Sequence, residues 1–423
     1  FKPLTIESHQ VKGNESLSIS MENPDDCPRW IGGIVNNVKV GNSPEWMVEK
    51  LKAAGQRSIN NLVDISNYVL LEMGHPTHIF DFDKLNKKEI LVRRAKNGEK
   101  LTTLDEAERE LSETNLLITD GKTPVALAGV MGGLSTAVTD ETTTVLVESA
   151  YFDPVTTRKN AKNLQMSTDA SKRFERGADP DGAVSGFCRV VTLLQELAGG
   201  ELVSDMVDEY PKIITTTEIT LRRSELDLIM GIEVDSADIN RILDALGFEY
   251  KHAENNWTCT PPSYRPDIER EIDIIEEIAR MIGFDAIPSD ENIYGEYRYE
   301  QQDPEDKFEP IRSTLVGFGF HQVYSNSLQN KYISGLSGKT SVKMMNPLNR
   351  EMAYLRTTLL PGLMKAADFN VKNGSSSIRI FECANVHEQT SDGIKGIYEY
   401  RHLAGIILGE EEPASIHNDA SEE

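Results

Sequence analysis

Chemistry in this chain would rest on a few titratable groups in unusual settings. The stretch "NNLVDISNYVLLEMGHPTHIFD", residues 60–81, sets Asn60, Asn61, Asp64, Ser66 and Asn67 within an apolar run, then places His75 and His78 around Pro76. Two imidazoles three residues apart can lie near one another, but zinc wants a third His or a carboxylate at ligand spacing. The residues therefore favour satisfied structural histidines, with a polar role in a ligand pocket as the second reading. Glu148 stands alone among Val145, Leu146 and Val147 in "VLVESAYF". Such a residue usually faces outward; facing inward it is a desolvated carboxylate that must find a donor.

Other stretches carry further possibilities. "ALAGVMGGLSTAVTDET", residues 126–142, holds Gly129, Gly132 and Gly133 but is neither GxGxxG nor a P-loop. Its glycines fit tight turns, and they equally fit a pocket wall without side chains. "STDASKRFERGADP", residues 167–180, is rich in small residues and arginine and could line the same pocket. Asp273, Glu276 and Glu277 follow one another at i, i+3 and i+4, with Asp267 ahead of them. Like charges at that spacing repel slightly, although acids early in a helix suit its dipole. A solvated helix face explains them, and a magnesium or calcium site is the alternative. No Ser–His–Asp or Cys–His arrangement is legible.

These residues need elements to hold them. "WIGGIVNNVKV" reads as a strand. "SPEWMVEKLKAAG" reads as a helix capped by Ser43, with Pro44 at its first position and Gly55 as its stop. Strand-like "EILVRRA", "NLLITD" and "TTVLVESAYF" then alternate with Gly-rich turns, before the helix "AVSGFCRVVTLLQELAGG". After the acidic linker "SDMVDEYPK" comes the strand "TTTEITLRR", and Ile239, Ile242, Leu243 and Leu246 mark a helix ended by Gly247. "IEREIDIIEEIARMIGF" is a further helix, and "YRYEQQDPEDKF" a polar linker. No internal repeat is visible.

Length and charge bound the function. At 423 residues the chain calls for several domains. A net charge of −24 opposes a surface that binds nucleic acid throughout, so any RNA contact must be local. Four scattered cysteines without a CxxC pair fit a reducing cytoplasm. No run approaches the ~20 apolar residues of a membrane span. The first residue, Phe1, and the closing "EEEPASIHNDASEE" lead us to expect a fragment of a longer protein.

In order along the chain, "NNLVDISNYVLLEMGHPTHIFDFDKL", "PVALAGVMGG", "TDETTTVLVESAYFDP", "TDASKRFERGADP", "PSYRPDIEREIDIIEEIARMIGFDAIP" and "NPLNREMAYLRTTLLPGL" resemble the β subunit of bacterial phenylalanine–tRNA ligases. The resemblance spans essentially the whole chain and corresponds to the middle of that subunit. It implies an α+β multidomain fold in four parts. Residues 1–40 would close a small N-terminal α+β domain, and residues 41–209 would form a mixed α/β tRNA-editing domain. Residues 213–289 would form a small winged, DNA-binding-like domain with an acidic helix. Residues 300–423 would begin a class II synthetase-like antiparallel sheet that makes no aminoacyl adenylate. The acidity of 213–289 argues against DNA as its ligand.

The same resemblance implies partners and sites. The chain would join an α subunit in an (αβ)2 tetramer, bind tRNA(Phe), and support ATP-dependent phenylalanine charging at the α subunit. It would hydrolyse mischarged Tyr-tRNA(Phe) in a pocket of His78, Gly132, Glu148, Thr168 and Ala170, with Ser66 where Thr is common. Arg57 is the candidate for contact with the tRNA end, and Asp267, Asp273, Glu276 and Glu277 fall on magnesium positions. The competing reading is a non-catalytic scaffold and tRNA-binding module, which should have admitted a bulky residue at Gly132 or Ala170.

Overall fold

Val145–Tyr151 is buried along all seven residues, because both faces of the strand are covered. The computed structural model describes residues 11–13, 15–289, 295, 303–412 and 421–422. The chain divides into two compact units, 1–290 and 291–423. The first ten residues, 297–302 of the expected linker and 413–420 of the closing acidic run lie outside the described residues.

In the first unit Val145–Tyr151 pairs antiparallel with Arg29–Asn36 on one side and Thr77–Asp81 on the other. Glu201–Leu202 and Val207–Glu209 pair with the far edge of Arg29–Asn36. Side chains alternate across a strand, so Val145 and Val147 face one way and Leu146, Glu148 and Ala150 the other. The first face packs on the helices Asn61–Met73 and Gly182–Ala198 through Leu62, Ile65, Val69, Phe187, Val190 and Leu194. The second face packs on another five-stranded sheet, ordered Ser18–Met21, Glu89–Arg94, Leu116–Thr119, Pro124–Leu127 and Met131–Gly132. Leu146 and Ala150 share a core there with Ile118, Val125 and Ala126. Glu148 is thereby directed between two sheets.

Arg29–Asn36 is central to the sheet that carries Glu148, so the boundary expected after residue 40 does not coincide with a break in the structure. Ser43 also departs from expectation: Pro44 occupies the cap position of helix Glu45–Ala53 without a side-chain bond. The Ser43 hydroxyl donates instead to Asp64 at 2.5 Å.

The polar residues of 60–81 answer mostly to their own neighbourhood. Fully buried Asp64 also accepts from the Ser58 hydroxyl and the Ile59 amide. Asn61 bonds the Gly41 amide and the Lys39 carbonyl, and Asn60 caps the helix by accepting from the Val63 amide. The helix stops at Gly74, whose φ of 75° is left-handed. His75-Pro76 then turns the chain into Thr77–Asp81.

Residues 219–282 form their own layer. The strands run in the order Ile219–Arg222, Asn256–Thr260, Glu249–Ala253. Against them pack Arg223–Met230, Ser236–Leu246 and Glu271–Ile282 around fully buried Trp257. Gly247 ends the second of these helices, as its sequence predicts.

In the second unit Ser377–Gln389 and Ile397–Glu412 form a long antiparallel hairpin. Leu359, Leu363, Ile378, Ile380 and Val386 make its core with the helix Leu360–Lys372. His321–Gln322, which follows the helix Glu309–Gly317, joins the hairpin in parallel, so the sheet expected to be antiparallel has one parallel edge.

Candidate functional site

Register brings the first two site residues together. Glu148 lies directly opposite His78 on one neighbouring strand and Gly32 on the other. Directly opposed residues share a face, so Glu148 and His78 both point between the sheets. The edge of the His78 ring meets Phe80 at right angles, with centroids 4.5 Å apart. Gly132 closes the site from the second sheet. A β-carbon there would stand 2.5 Å from His78 Cε1 and 2.6 Å from Nε2, so only glycine lets the imidazole keep its place.

Two adjoining cavities meet at these residues. An inner recess of about 70 Å³ is lined by Glu148, His78, Gly132, Ile118, Phe152 and Phe174, among others. An outer cleft of about 460 Å³ shares His78, Gly132 and Ala170 with it and adds Gln56, Ser66, Asn67, Leu104 and Thr168. All five residues expected of the pocket thus line these two neighbouring cavities. Glu148 lines only the recess and Thr168 only the cleft.

The hydroxyls near the cleft are already engaged. Thr168 donates to the Val130 carbonyl at 2.8 Å and accepts from the Ser171 amide, in a reciprocal cap of helix Asp169–Phe174. It pins that helix, and with it Ala170, against the turn that carries Gly132. Ser66 donates to the Thr77 carbonyl at 2.6 Å, joining helix Asn61–Met73 to the His78 strand. Both act as positioning groups.

The recess itself is left without charge. Glu148 is 6% exposed, and its Oε2 has no hydrogen-bond partner among the described residues. Burial pushes its carboxyl up from 4.5 to about 8. The expectation of an ionised carboxylate is therefore corrected: at neutral pH this group carries its proton. Burial likewise holds His78 down from 6.5 to about 4, so its imidazole is neutral. Burial also holds His75 down to about 4, against a weak backbone contact with Ala150. The His75 ring packs edge-on to Phe174, behind the recess wall.

Arg57 is exposed and lines neither cavity, although its neighbour Gln56 does. Gln56 donates across the cleft to Asp169. Sequence reasoning missed that contact, and it missed Phe152 and Phe174 in the recess wall. Phe152 closes the quoted segment "VLVESAYF", but nothing in spacing pairs it with Phe174, whose ring lies 5.2 Å away.

The acidic cluster is not gathered as a cation cage. Asp267 and Glu277 both receive the Arg265 guanidinium, at 2.7 and 3.0 Å. Arg280 pairs with Glu277 at 2.5 Å, and Arg270 with Asp273 at 2.9 Å. Hydrogen bonds from these arginines hold the three carboxyls below their ordinary range. Glu276 is exposed. Three guanidinium groups already supply the positive charge that a magnesium ion would bring, so these residues do not fit one in this arrangement. Among the described residues no group of three or more His, Cys, Asp or Glu is placed to hold a metal.

The second unit contains a buried ion pair instead of a pocket acid. Arg356 donates to Glu382 at 2.7 Å, with side chains 5% and 1% exposed, and Ser325 bonds both. Among the described residues no helix is long and apolar enough to cross a membrane.

Comparison with known proteins divides the chain along similar lines. Residues 26–199 match the family described as the B3/4 domain, and 219–284 that described as the tRNA synthetase B5 domain. Residues 292–423 match the phenylalanyl tRNA synthetase beta chain CLM domain. The chain is 40% identical over 411 residues to the phenylalanine–tRNA ligase beta subunit of Carboxydothermus hydrogenoformans, covering 94% of this chain and 50% of that protein. It is 38% identical over 406 residues to that of Protochlamydia amoebophila, with 93% and 50% covered. The chain therefore spans about half the length of the curated relatives it matches. An N-terminal fragment of the phenylalanyl-tRNA synthetase beta-subunit from Pyrococcus horikoshii aligns over 64% of this chain and 76% of its own, at 16% identity and a TM-score of 0.31, too low to carry an argument.

Proposed function

The chain belongs to the phenylalanine–tRNA ligase beta-subunit family, and from that premise we propose that its two-sheet unit hydrolyses tyrosine wrongly esterified to tRNA(Phe). The observation that carries the proposal is Glu148: a buried carboxyl with an unpaired oxygen, opposite His78, in a recess otherwise walled by Ile118, Phe152 and Phe174. At about 70 Å³ the recess accepts the far edge of a ring, with the rest of the side chain and its ester lying in the cleft. A phenolic hydroxyl reaching Glu148 satisfies the orphaned oxygen. A phenyl ring buries it unpaired, which costs about 1–3 kcal/mol. That is roughly 5- to 150-fold in favour of tyrosine, less than an ionised carboxylate would give, and in the direction that spares correctly charged tRNA.

The remaining pocket residues position the ester. Neutral His78 can accept a hydrogen bond from water or a ribose hydroxyl without bringing charge into the recess. With its pKa near 4 it is a weak base, so a ribose hydroxyl at the bound tRNA end acts as the proton relay, taking the proton of the attacking water as it gives its own to the departing ester oxygen. Thr168 and Ser66 hold the walls, and Arg57, exposed beside the cleft, meets the tRNA end. Magnesium at 267–277 has no place in this scheme.

For the wider assembly we propose that the chain works with an α subunit in an (αβ)2 tetramer, where ATP and phenylalanine are handled at the α subunit. Residues 213–289 act as a winged packing domain, and the second unit as a class II-like domain without synthetic activity. The scaffold-only alternative is disfavoured because Gly132 and Ala170 keep the cleft open.

The test is deacylation of Tyr-tRNA(Phe) by the β subunit assembled with its α partner. Glu148→Ala should slow it by 5- to 150-fold while phenylalanine charging stays near normal. An unaltered rate in Glu148→Ala sinks this assignment.

A further inference from the structure

Residues 154–178 run against the charge of the chain. They hold six cations, Arg158, Lys159, Lys162, Lys172, Arg173 and Arg176, against only Asp169 and Glu175, in a protein of net charge −24. The helices Pro154–Asn163 and Asp169–Phe174 pack together and spread these cations over two concavities. One, about 510 Å³, is lined by Lys172, Arg173, Arg176, Asp179 and Tyr264, among others. The other, also about 510 Å³, is lined by Arg158, Lys162 and Glu175, among others. Lys172 and Arg173 lie 3.8 and 4.0 Å from Asp169, at the edge of ion-pair range. Arg158, Lys162 and Arg176 are exposed and have no ion-pair partner among the described residues.

The position of this patch matters as much as its charge. Thr168, Asp169 and Ala170 wall the outer cleft, and Lys172, Arg173 and Arg176 follow on the same short helix and its exit turn. At 1.5 Å of rise per helical residue, the cations begin about 3 Å beyond Ala170, the last wall residue, and extend to roughly 9 Å. That is one to two phosphate spacings along an extended strand. Tyr264 supplies an aromatic face beside them. It is 54% exposed, yet fixed, since its hydroxyl donates to the Leu246 carbonyl at 3.0 Å. A rigid, half-exposed ring among cations suits a stacked base next to phosphates, whereas an acidic peptide would make no use of it.

We propose that the concavity between Lys172, Arg173, Arg176 and Tyr264 binds the phosphodiester backbone of the RNA strand whose esterified end enters the cleft, with Arg158 and Lys162 extending the track. The inference deepens the editing reading and rests on it for the identity of the strand.

The test is fluorescence anisotropy of a labelled RNA hairpin ending in single-stranded CCA, titrated with the 423-residue chain over a range of KCl concentrations. Lys172→Ala with Arg176→Ala should weaken binding by roughly tenfold near 0.1 M salt. Two lost contacts should also flatten the slope of log affinity against log salt by about 1.4. Tyr264→Leu should weaken binding by at least about fivefold with the slope unchanged. Arg158→Ala with Lys162→Ala, on the outer faces of their helix, gives a second pair if Tyr264→Leu misfolds, with melting curves as the check. Unchanged affinity and slope in the folded double variants overturns the proposal. So does a polyglutamate peptide that competes as well as unlabelled hairpin. Should the patch bind RNA while the β subunit assembled with its α partner leaves Tyr-tRNA(Phe) intact, the editing reading falls and this surface stands. Should deacylation proceed while patch variants bind normally, the reverse holds.

Discussion

Replacing Glu148 with glutamine should change how the first unit's stability depends on pH, whatever it does to catalysis. Glu148 is displaced from 4.5 to about 8 by burial alone. Below pH 4.5 the carboxyl is protonated whether the chain is folded or unfolded, and it contributes nothing. As pH rises toward 8 the unfolded state ionises while the folded state cannot, so wild-type stability declines across that window and levels off above it. One pKa unit is worth about 1.36 kcal/mol, which sets a ceiling on the order of 5 kcal/mol; water entering through the cleft lowers it toward 3. Glutamine keeps the shape and does not titrate. Glu148→Gln and wild type should therefore differ by no more than about 1 kcal/mol near pH 5, and the variant should hold an advantage of several degrees at pH 8.5. His75 and His78, both lowered from 6.5 to about 4, act the other way, costing stability as pH falls below 6.5. They are common to both proteins and cancel in the comparison. Scanning calorimetry at pH 5.0, 6.5 and 8.5 measures the difference. Parallel curves for the two proteins at every pH would refute the reasoning.

Gly132→Ala places a methyl group 2.5 Å from His78 Cε1, so the ring must move; we expect about 1–3 kcal/mol of lost stability and at least tenfold slower Tyr-tRNA(Phe) hydrolysis, measured by denaturant titration and deacylation. Chelator should leave the melting temperature unchanged, because arginines already neutralise Asp267, Asp273 and Glu277; a fall restored by magnesium would reinstate the cation site. Arg356→Met strands Glu382 in the core of the second unit and should cost about 3–5 kcal/mol, partly recovered by adding Glu382→Gln; a loss under 1 kcal/mol would contradict a buried pair.

How much of this could be read from the residues varies element by element. Helix stops at Gly55 and Gly247 were legible because each takes a left-handed φ that suits glycine. The start at Ser43 was not, since the side chain that should cap the helix is drawn to buried Asp64, 21 residues away. The orientation of Glu148 was undecidable locally. Val145–Tyr151 is covered on both faces, so its apolar run shows no alternation to mark an inside. Its placement in a pocket came from the order of six motifs. The Gln56–Asp169 contact joins residues 113 apart and leaves no local signal.

The two families of carboxylates show why residue type alone misleads about sites. Glu277 and Glu148 are nearly equally hidden, at 7% and 6% exposed. Glu277 sits on a helix where neighbouring turns and the preceding loop can deliver Arg265 and Arg280, so its charge is answered locally and its oxygens are occupied. Glu148 sits in a strand whose partners across the sheet are Gly32 and His78, and neither can deliver a cation at neutral pH. It can only surrender its charge and keep one oxygen open. The acidic run that looked like a binding site is therefore internally satisfied. The lone acid that looked like a surface residue retains unspent hydrogen-bonding capacity, and a ligand can use only what the fold has left unused.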